Sequence, residues 1–426
     1  MRGSAVAFLL KVVAAGLAFS LNVVLARLLG AEGSGIFFLT LTIVIIVSAV
    51  GSIGMENALV RFVASNVAAG HSAKVLGVYQ KAMLYTFLVA SSLSLLLYLM
   101  TPWVSHIVFS KPELEKPLSL MSSSVVFLAF LTLHAHALQG LKKIAASISV
   151  LSLIVPLVTC FVAMIFVPLY GIDAAVWGYL SGTILALLFG RLFWVRATHS
   201  LDRKNAEFDA KELFKSSNPL YAIVIMNMVI MWSPLLFLGI WESSENVGIY
   251  SAANRTAMLT SFVLFAVNTI AAPKFSALYE NRDFVSLEMV ARNSTKIMML
   301  LAAPALLIFL LVPELILSIF GADFTQGAYI LMILAVGQFI NVATGSVGYL
   351  LMMSGNEKLM RNNLVFCAIL GISLNFILIP AYGVIGAAVG AAIVLSVQNL
   401  IAMAMVWRKL HIVTMPWIMK LRRRVT

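Results

Sequence analysis

Lys11, Arg27 and Arg255 are cations set in or beside long apolar runs, and little else in this chain is equipped for chemistry. Charge in hydrocarbon is expensive, so such residues by default face a cavity or a water-filled path. Asn22 follows Lys11 by eleven residues, about three helical turns, and returns to the same face. Asn254 stands next to Arg255 and opens a polar stripe that continues every seven residues through Ser261 and Asn268. Gln338, Asn341 and Gly345 form a second small or polar face. Near the same depth only Glu56 and Asp173 supply acids. A cavity with this sign attracts an anion, and the planar arginine fork suits phosphate. The competing reading is that Arg27 and Arg255 snorkel to the outer interface. Glu56 reads either as a coupling group or as a partner of Arg61.

Covalent chemistry finds no support in these residues, and no catalytic residue, metal ligand set or cofactor is expected. The chain has no phosphate-cradling Gly-Lys-Ser loop, no His-Glu-x-x-His and no Gly-x-Ser-x-Gly. His134 and His136 are placed to relay a proton, but histidines near a helix end are more often packed or interfacial. Cys160 and Cys367 lie inside apolar runs and give neither a disulfide framework nor metal spacing.

The elements that position these residues must cross a membrane. Hydrophobic residues make up 62% of the 426 and charged residues 11%, with a mean hydropathy of +1.01; a soluble domain has about half and a quarter. Runs of about 20 apolar residues, each long enough to span hydrocarbon as a helix, recur throughout. They are placed at 5–26, 34–54, 78–100, 118–138, 144–167, 174–195, 219–241, 249–272, 295–313, 328–353, 363–380 and 384–407. The first is kept as a span rather than a signal peptide, because it runs on to about residue 26 without a persuasive cleavage site. Pro156, Pro234 and Pro304 fall inside spans and permit kinks.

A repeat organises the spans. FVPLYGIDAAVWGY at 166–179 is answered by LIPAYGVIGAAVGA at 378–391, so Pro168, Tyr170 and Gly171 recur as Pro380, Tyr382 and Gly383. Gly35-Ile36-Phe37 recurs as Gly248-Ile249-Tyr250, Arg61-Phe62 as Lys274-Phe275, and Gln139-Gly140 as Ser354-Gly355. Matches in one order and register imply a duplicated unit of about 210 residues. The expected fold is therefore an all-α polytopic membrane protein of 12 transmembrane helices in two six-helix bundles, 1–200 and 219–412, as a parallel tandem repeat.

Of the 29 basic residues, all but Lys11, Arg27, Lys111, Lys116 and Arg255 fall inside when both termini are cytoplasmic. The net charge of +12 then faces an anionic leaflet, and nucleic acid is not expected as a partner. Residues 201–218 form the cytoplasmic linker, in which Ala206, Ala210, Leu213 and Phe214 suggest an amphipathic helix on the inner surface. A solvated linker is the alternative. The tail 413–426, with Trp417 and Lys420 to Arg424, suits an interfacial anchor.

The stretches ARLLGAEGSGIF (26–37), KELFKSSNPL (211–220) and FGADFTQGAYILMILAVGQFINVATGSVGYLLMMSGNEKL (320–359), followed by LIPAYGVIGAAVGAAI, resemble the polysaccharide transporter or oligosaccharide flippase family. That family includes the O-antigen flippases of the multidrug/oligosaccharidyl-lipid/polysaccharide exporter superfamily. The resemblance implies two bundles around a cationic cavity in a bacterial inner membrane. It implies movement of an undecaprenyl-diphosphate-linked oligosaccharide to the outer leaflet by alternating access, usually driven by membrane potential or an ion gradient. Lys11, Arg255 and Arg27 become candidate diphosphate ligands, and polysaccharide polymerase and chain-length proteins become candidate partners. Lipid II flippase relatives carry more arginines in the first two spans and two extra carboxy-terminal spans, so a surface polysaccharide is expected. The alternative is a cation-coupled antiporter of the multidrug and toxin extrusion type, disfavoured by the scarcity of intramembrane acids. A membrane-bound polymerase or ligase is disfavoured by the short outer loops. A major facilitator transporter is disfavoured because 55–77 lacks the Gly-x-x-x-Asp-Arg-x-Gly-Arg-Arg pattern.

Overall fold

The computed structural model describes residues 2–199, 201 and 208–416. Ala206 of the linker's apolar face and Trp417 and Lys420 to Arg424 of the tail lie outside the described residues. No strand occurs among the described residues. The helices are α1 (Arg2–Ser52), α2 (Met55–Ala68), α3 (Ser72–Trp103), α4 (Glu115–Ser122), α5 (Ser124–Gly140), α6 (Ile144–Ile148), α7 (Ile154–Tyr170) and α8 (Ile172–Ala197), followed by α9 (Ala210–Trp241), α10 (Ser244–Ala257), α11 (Leu259–Glu280), α12 (Phe284–Leu311), α13 (Pro313–Leu317), α14 (Ala328–Ala343), α15 (Val347–Met353) and α16 (Glu357–Leu410). Eight helices among the described residues are long and apolar enough to cross a membrane, or up to ten if each of two bent pairs is one span.

Three of the gaps between predicted spans contain a glycine break, whereas boundaries such as 78, 272 and 295 fall inside continuous helices. α1 is interrupted at Gly30 (φ 69°, ψ −175°), and α16 at Gly383 (φ 56°, ψ −134°). Between α7 and α8 the break is Gly171 (φ 58°, ψ −140°). A residue without Cβ takes such angles at little cost. Gly171 and Gly383 are the glycines of the repeated Tyr-Gly phrase, so the repetition in sequence is a repetition in backbone. It extends to helix ends. α2 stops at Ala68 and α11 at Glu280; α3 starts at Ser72 and α12 at Phe284; α8 stops at Ala197 and α16 at Leu410. Near Pro156 the chain takes a π-turn over Ser149–Leu153 before α7 begins.

The chain divides into two compact units, 1–228 with 242–248, and 229–241 with 249–426. The first unit buries Leu59 and Val63 of α2, Val75 and Val78 of α3, Leu133 and Ala137 of α5, Trp194 of α8 and Leu213 of α9 in one cluster. Phe208 packs edge-on to Phe62 at 5.1 Å and Phe214 to Tyr85 at 5.0 Å. Phe208, Leu213 and Phe214 of the predicted linker therefore pack against the protein core. From Ala210 onward the linker is continuous with α9. In the second unit, Phe275 of α11, Leu287 and Ala291 of α12, Val347, Leu350 and Leu351 of α15, and Val406 of α16 form the corresponding cluster.

Within the first unit, the second occurrence of the Gly-Ile-aromatic phrase meets the first. A Cβ on Gly35 would stand 1.8 Å from the Ser244 carbonyl oxygen, and one on Gly248 would stand 2.0 Å from that of Ala31. Ala31 precedes Gly35 by four residues, as Ser244 precedes Gly248, so the approach is reciprocal. No side chain fits without backbone displacement. Gly35→Ala and Gly248→Ala are each expected to destabilise by about 1–3 kcal/mol, measured as a lower thermal midpoint of purified protein. Gly16→Ala, where nothing stands within 4 Å of the added Cβ, should instead be neutral or gain up to about 1 kcal/mol from helix propensity.

Candidate functional site

Lys11 sits on a stripe of α1 that includes Ala7, Ala14, Ala18, Asn22 and Leu25, of which Ala7, Ala14, Asn22 and Leu25 are buried while Lys11 and Ala18 are half-buried. The alanines leave room beside a long side chain, and the adjoining positions Val12, Val13 and Gly16 are exposed. Asn22 spends a donor on its own helix, Nδ2 to Ala18 O at 2.8 Å. Arg27 does not join this face. It is exposed, and sixteen residues beyond Lys11 at about 100° per residue put it roughly 160° away around the helix. Sequence spacing linked Lys11 to Asn22 correctly and left Arg27 open between cavity and interface; the helix turns Arg27 to the other side.

Arg255 lies half-buried in the last turn of α10, next to Asn254, also half-buried. Behind it, the stripe bonds to the second polar face. Ser261 Oγ donates to Gln338 Oε1 at 2.5 Å, and Asn341 Nδ2 donates to Ser261 Oγ at 3.3 Å. Ser346 Oγ donates to Asn268 Oδ1. At Gly345 (φ 80°) a Cβ would stand 2.1 Å from Thr295 Oγ1. Two sets of candidate lining residues are thus one polar seam joining α11 to α14 and the start of α15. In hydrocarbon such bonds are a normal way to register helices. Asn268 is buried, and its Nδ2 has no hydrogen-bond partner.

Glu56 is buried at the start of α2, just past a break formed by Ile53 (φ 51°) and Gly54 (φ 68°). Ser52 Oγ, at the end of α1, donates to Glu56 Oε2 at 2.7 Å. The carboxylate therefore clips α1 to α2 across the break. Arg61 is exposed, and five residues on it lies about 140° around the helix from Glu56. Asp173, the other acid, pairs with Lys116. His134 donates from Nδ1 to Phe130 O at 2.7 Å, which leaves Nε2 to accept from Tyr79 OH at 2.8 Å. Tyr79 also stacks on Trp194 at 4.3 Å. His136 Nδ1 bonds Thr132 O at 2.8 Å. Both histidines have the partners of packed residues.

One cluster escaped the sequence reading. Lys111, which spacing assigned only to an outer loop, is buried and donates to Glu242 O at 2.6 Å. Ser244 Oγ donates to Glu113 Oε1 at 3.1 Å. Burial pulls the Lys111 ammonium below its ordinary value, against Glu113 and Glu242, which favour the charged form. Segment 242–248 is thereby fastened to the first unit although the chain on both sides of it belongs to the second. The available signal was that Lys111 stands two residues from Glu113 in a loop with few other basic residues.

Comparison with known proteins adds identity to this geometry. The MatE family model matches residues 219–377. A probable low-salt glycan biosynthesis flippase of Haloferax volcanii, Agl15, is 26% identical over 413 residues, 94% of this chain and 82% of that protein. A probable flippase of the same organism, AglR, is 24% identical over 240 residues, 54% of this chain and 48% of that protein. Among solved structures, an inward-facing multidrug resistance MATE family transporter of the MOP superfamily gives a TM-score of 0.75 at 14% identity, covering 92% of this chain and 94% of that one. The lipid II flippase MurJ in an inward closed conformation also gives 0.75, at 16% identity, covering 93% of this chain and 86% of that one. A MOP superfamily transporter from Pyrococcus furiosus, whose binding pocket is described as reversed in polarity, gives 0.68 at 14% identity, covering 96% and 94%. At these identities the structures establish a shared fold. The model of the polysaccharide biosynthesis protein family matches residues 1–279, about two thirds of the sequence, and the chain belongs to that family.

Proposed function

We propose that this protein flips an undecaprenyl-diphosphate-linked oligosaccharide, a unit of O-antigen or another surface polysaccharide, from the cytoplasmic to the outer leaflet by alternating access. It does so without covalent catalysis and without a cofactor. The observation that carries the reading is Lys11, a cation on the alanine-rich buried stripe of α1, within an apolar run. Such a position is expensive in hydrocarbon and suits a diphosphate that arrives with its own charge. Arg255 with Asn254 is the second contact. Arg27, exposed on the other side of α1, meets headgroups rather than substrate. Gln338, Asn341 and Asn268 hold helices together and shape the cavity from behind. Glu56 and Arg61, the coupling candidates, both lie on α2 beyond the α1–α2 break, and at Glu56 a change of charge would act on helix geometry.

The protein has 12 spans in two bundles of six, 1–200 and 219–412, joined by 201–218 and followed by a basic tail, 413–426. Length supports the count: α1 and α16, with 51 and 54 residues, would run roughly 75–80 Å straight, more than twice a hydrocarbon core of about 30 Å. Each is therefore two spans hinged at its glycine, and each bent pair is one. Both termini are cytoplasmic and the membrane is a bacterial inner membrane. A polymerase and chain-length proteins would take the unit onward. Because the curated flippase relatives are from Haloferax volcanii, other polyprenyl phosphate carriers belong in the same assay.

In proteoliposomes under an imposed potential, lipid-linked oligosaccharide should become accessible in the opposite leaflet only when the protein is present. Lys11→Ala and Arg255→Ala are each expected to slow this at least about tenfold at unchanged abundance, the scale of one lost charge-assisted hydrogen bond. Arg27→Ala should stay within about twofold. No flipping of any lipid-linked sugar, with dye efflux against a sodium or proton gradient instead, would assign the antiporter activity. Gln338→Leu separates seam from lining. A seam residue costs about 1 kcal/mol of stability, seen in the thermal midpoint, and transport falls with the folded fraction; loss of transport at unchanged stability would return Gln338 to the lining.

A further inference from the structure

In the second unit, the face of α12 that carries Met289, Arg292, Lys296 and Leu300 bounds a groove of about 840 Å³, completed by Phe339 of α14 and by Pro416. The four α12 residues recur at steps of three and four, one stripe of the helix. The volume lies within the roughly 300–1,000 Å³ usual for small-molecule sites. Along α12 its lining runs from Val285 and Met289 through a polar band of Glu288, Arg292, Asn293 and Lys296 to Met299, Leu300 and Ala303. In that band Arg292 Nη2 donates to Pro416 O at 2.7 Å, and Arg292 Nη1 stands 3.9 Å from Oε1 of buried Glu288. Lys296 follows one turn on and is exposed. Beyond it, Leu300, 64% exposed, and Phe339 give an apolar wall.

Glu288 offsets Arg292, and Lys296 leaves the groove one positive charge in excess. Basic residues at the entry and apolar residues further along are complementary to a molecule with a singly charged anionic head and a hydrocarbon chain. The depth agrees. α12 begins at Phe284, whereas its apolar run begins near residue 295, so Arg292 and Lys296 sit where a helix passes from headgroups into hydrocarbon. The chain's own segment 417–426 follows Pro416, but with Lys420, Arg422, Arg423 and Arg424 it has the same sign as the groove. Charge favours a lipid over that segment.

We propose that this groove binds a glycerophospholipid of the surrounding bilayer with an anionic headgroup, its phosphate on Lys296 and Arg292 and one acyl chain along Leu300 and Phe339. The site is separate from the Lys11 and Arg255 residues assigned to transport, and its occupancy is expected to stabilise the second unit.

The test is native mass spectrometry of the purified full-length protein with phosphatidylglycerol and with phosphatidylcholine of the same acyl chains. Phosphatidylglycerol should be retained in preference, and Lys296→Gln should lower its retention about fivefold, the effect of one basic residue at a lipid surface, without changing that of phosphatidylcholine. Arg292→Gln should do the same, and Leu300→Trp should lower retention of both lipids. Because Arg292 also holds Pro416, Lys296→Gln is the decisive variant. Equal phosphatidylglycerol retention by wild type and Lys296→Gln would overturn the proposal. So would full competition by millimolar inorganic phosphate, which would mark an ion site. A several-fold gain of phosphatidylglycerol in Trp417→Ala would assign the groove to the chain's own C-terminal segment. Retention of a polyprenyl phosphate to the exclusion of phosphatidylglycerol would assign it to the transported lipid. Either result would overturn it too.

Discussion

Hydrocarbon offers a backbone amide no partner, so within the membrane the chain must be helical and can turn only where special residues allow it. The glycines at the breaks meet that condition. Gly30, Gly171 and Gly383 take positive φ between consecutive helical segments, and Gly54 takes it between α1 and α2. Helices that cannot rely on a hydrophobic force between them then need close packing. Gly178 and Gly182 of α8, four residues apart, let the α7 backbone approach until an added Cβ would stand 3.2 Å from Thr159 O and 3.0 Å from Val155 O. Gly35 and Gly248 carry the same device to its limit, each leaving space for the other helix's carbonyl.

Polar side chains are constrained in the same way, and here one sequence pattern has two physical outcomes. A seven-residue polar repeat such as Asn254, Ser261 and Asn268 looks the same whether it lines water or bonds to a neighbour. In this protein Ser261 and Asn268 find Gln338, Asn341 and Ser346, and Asn254 remains beside Arg255. Glu56 shows the same ambiguity, since its carboxylate takes a serine hydroxyl across a helix break.

The helical class was legible because glycine, proline and apolar run length are local signals: the predicted spans fall mainly on helix, although 249–272 and 328–353 each cross a break, and the repeated Tyr-Gly phrase marks the same break twice. The site was legible only in part. Lys11 and Asn22 could be placed on one face because their spacing lies within an unbroken helix. Arg27 was undecided on sequence grounds because its proximity to the end of a span says nothing about its azimuth. Lys111 was missed because its partner, the Glu242 carbonyl, is 131 residues away and is a backbone atom, which leaves no mark on side-chain pattern. The linker was left open for a related reason: an amphipathic face does not say whether it meets headgroups or a core, and Leu213 with Phe214 meets a core.

Duplication supplies an internal control for separating fold from function. Features that the fold requires should recur in both halves at an offset of 212 or 213, and the Tyr-Gly break at Gly171 and Gly383, the Gly-Ile-aromatic phrase and the paired cores do. Glu56 falls in this class as well: its counterpart, 212 residues on, is Asn268, which also accepts a serine hydroxyl. The cations do not recur. Lys11 corresponds to Ile223 or Val224, and Arg255 to Thr42 or Ile43. A charge needed to register helices would be wanted twice, whereas a charge needed for one asymmetric substrate is wanted once, at whichever place the substrate puts its phosphates. Lys11 and Arg255 are therefore set apart from the seam residues by being unrepeated as well as by being charged.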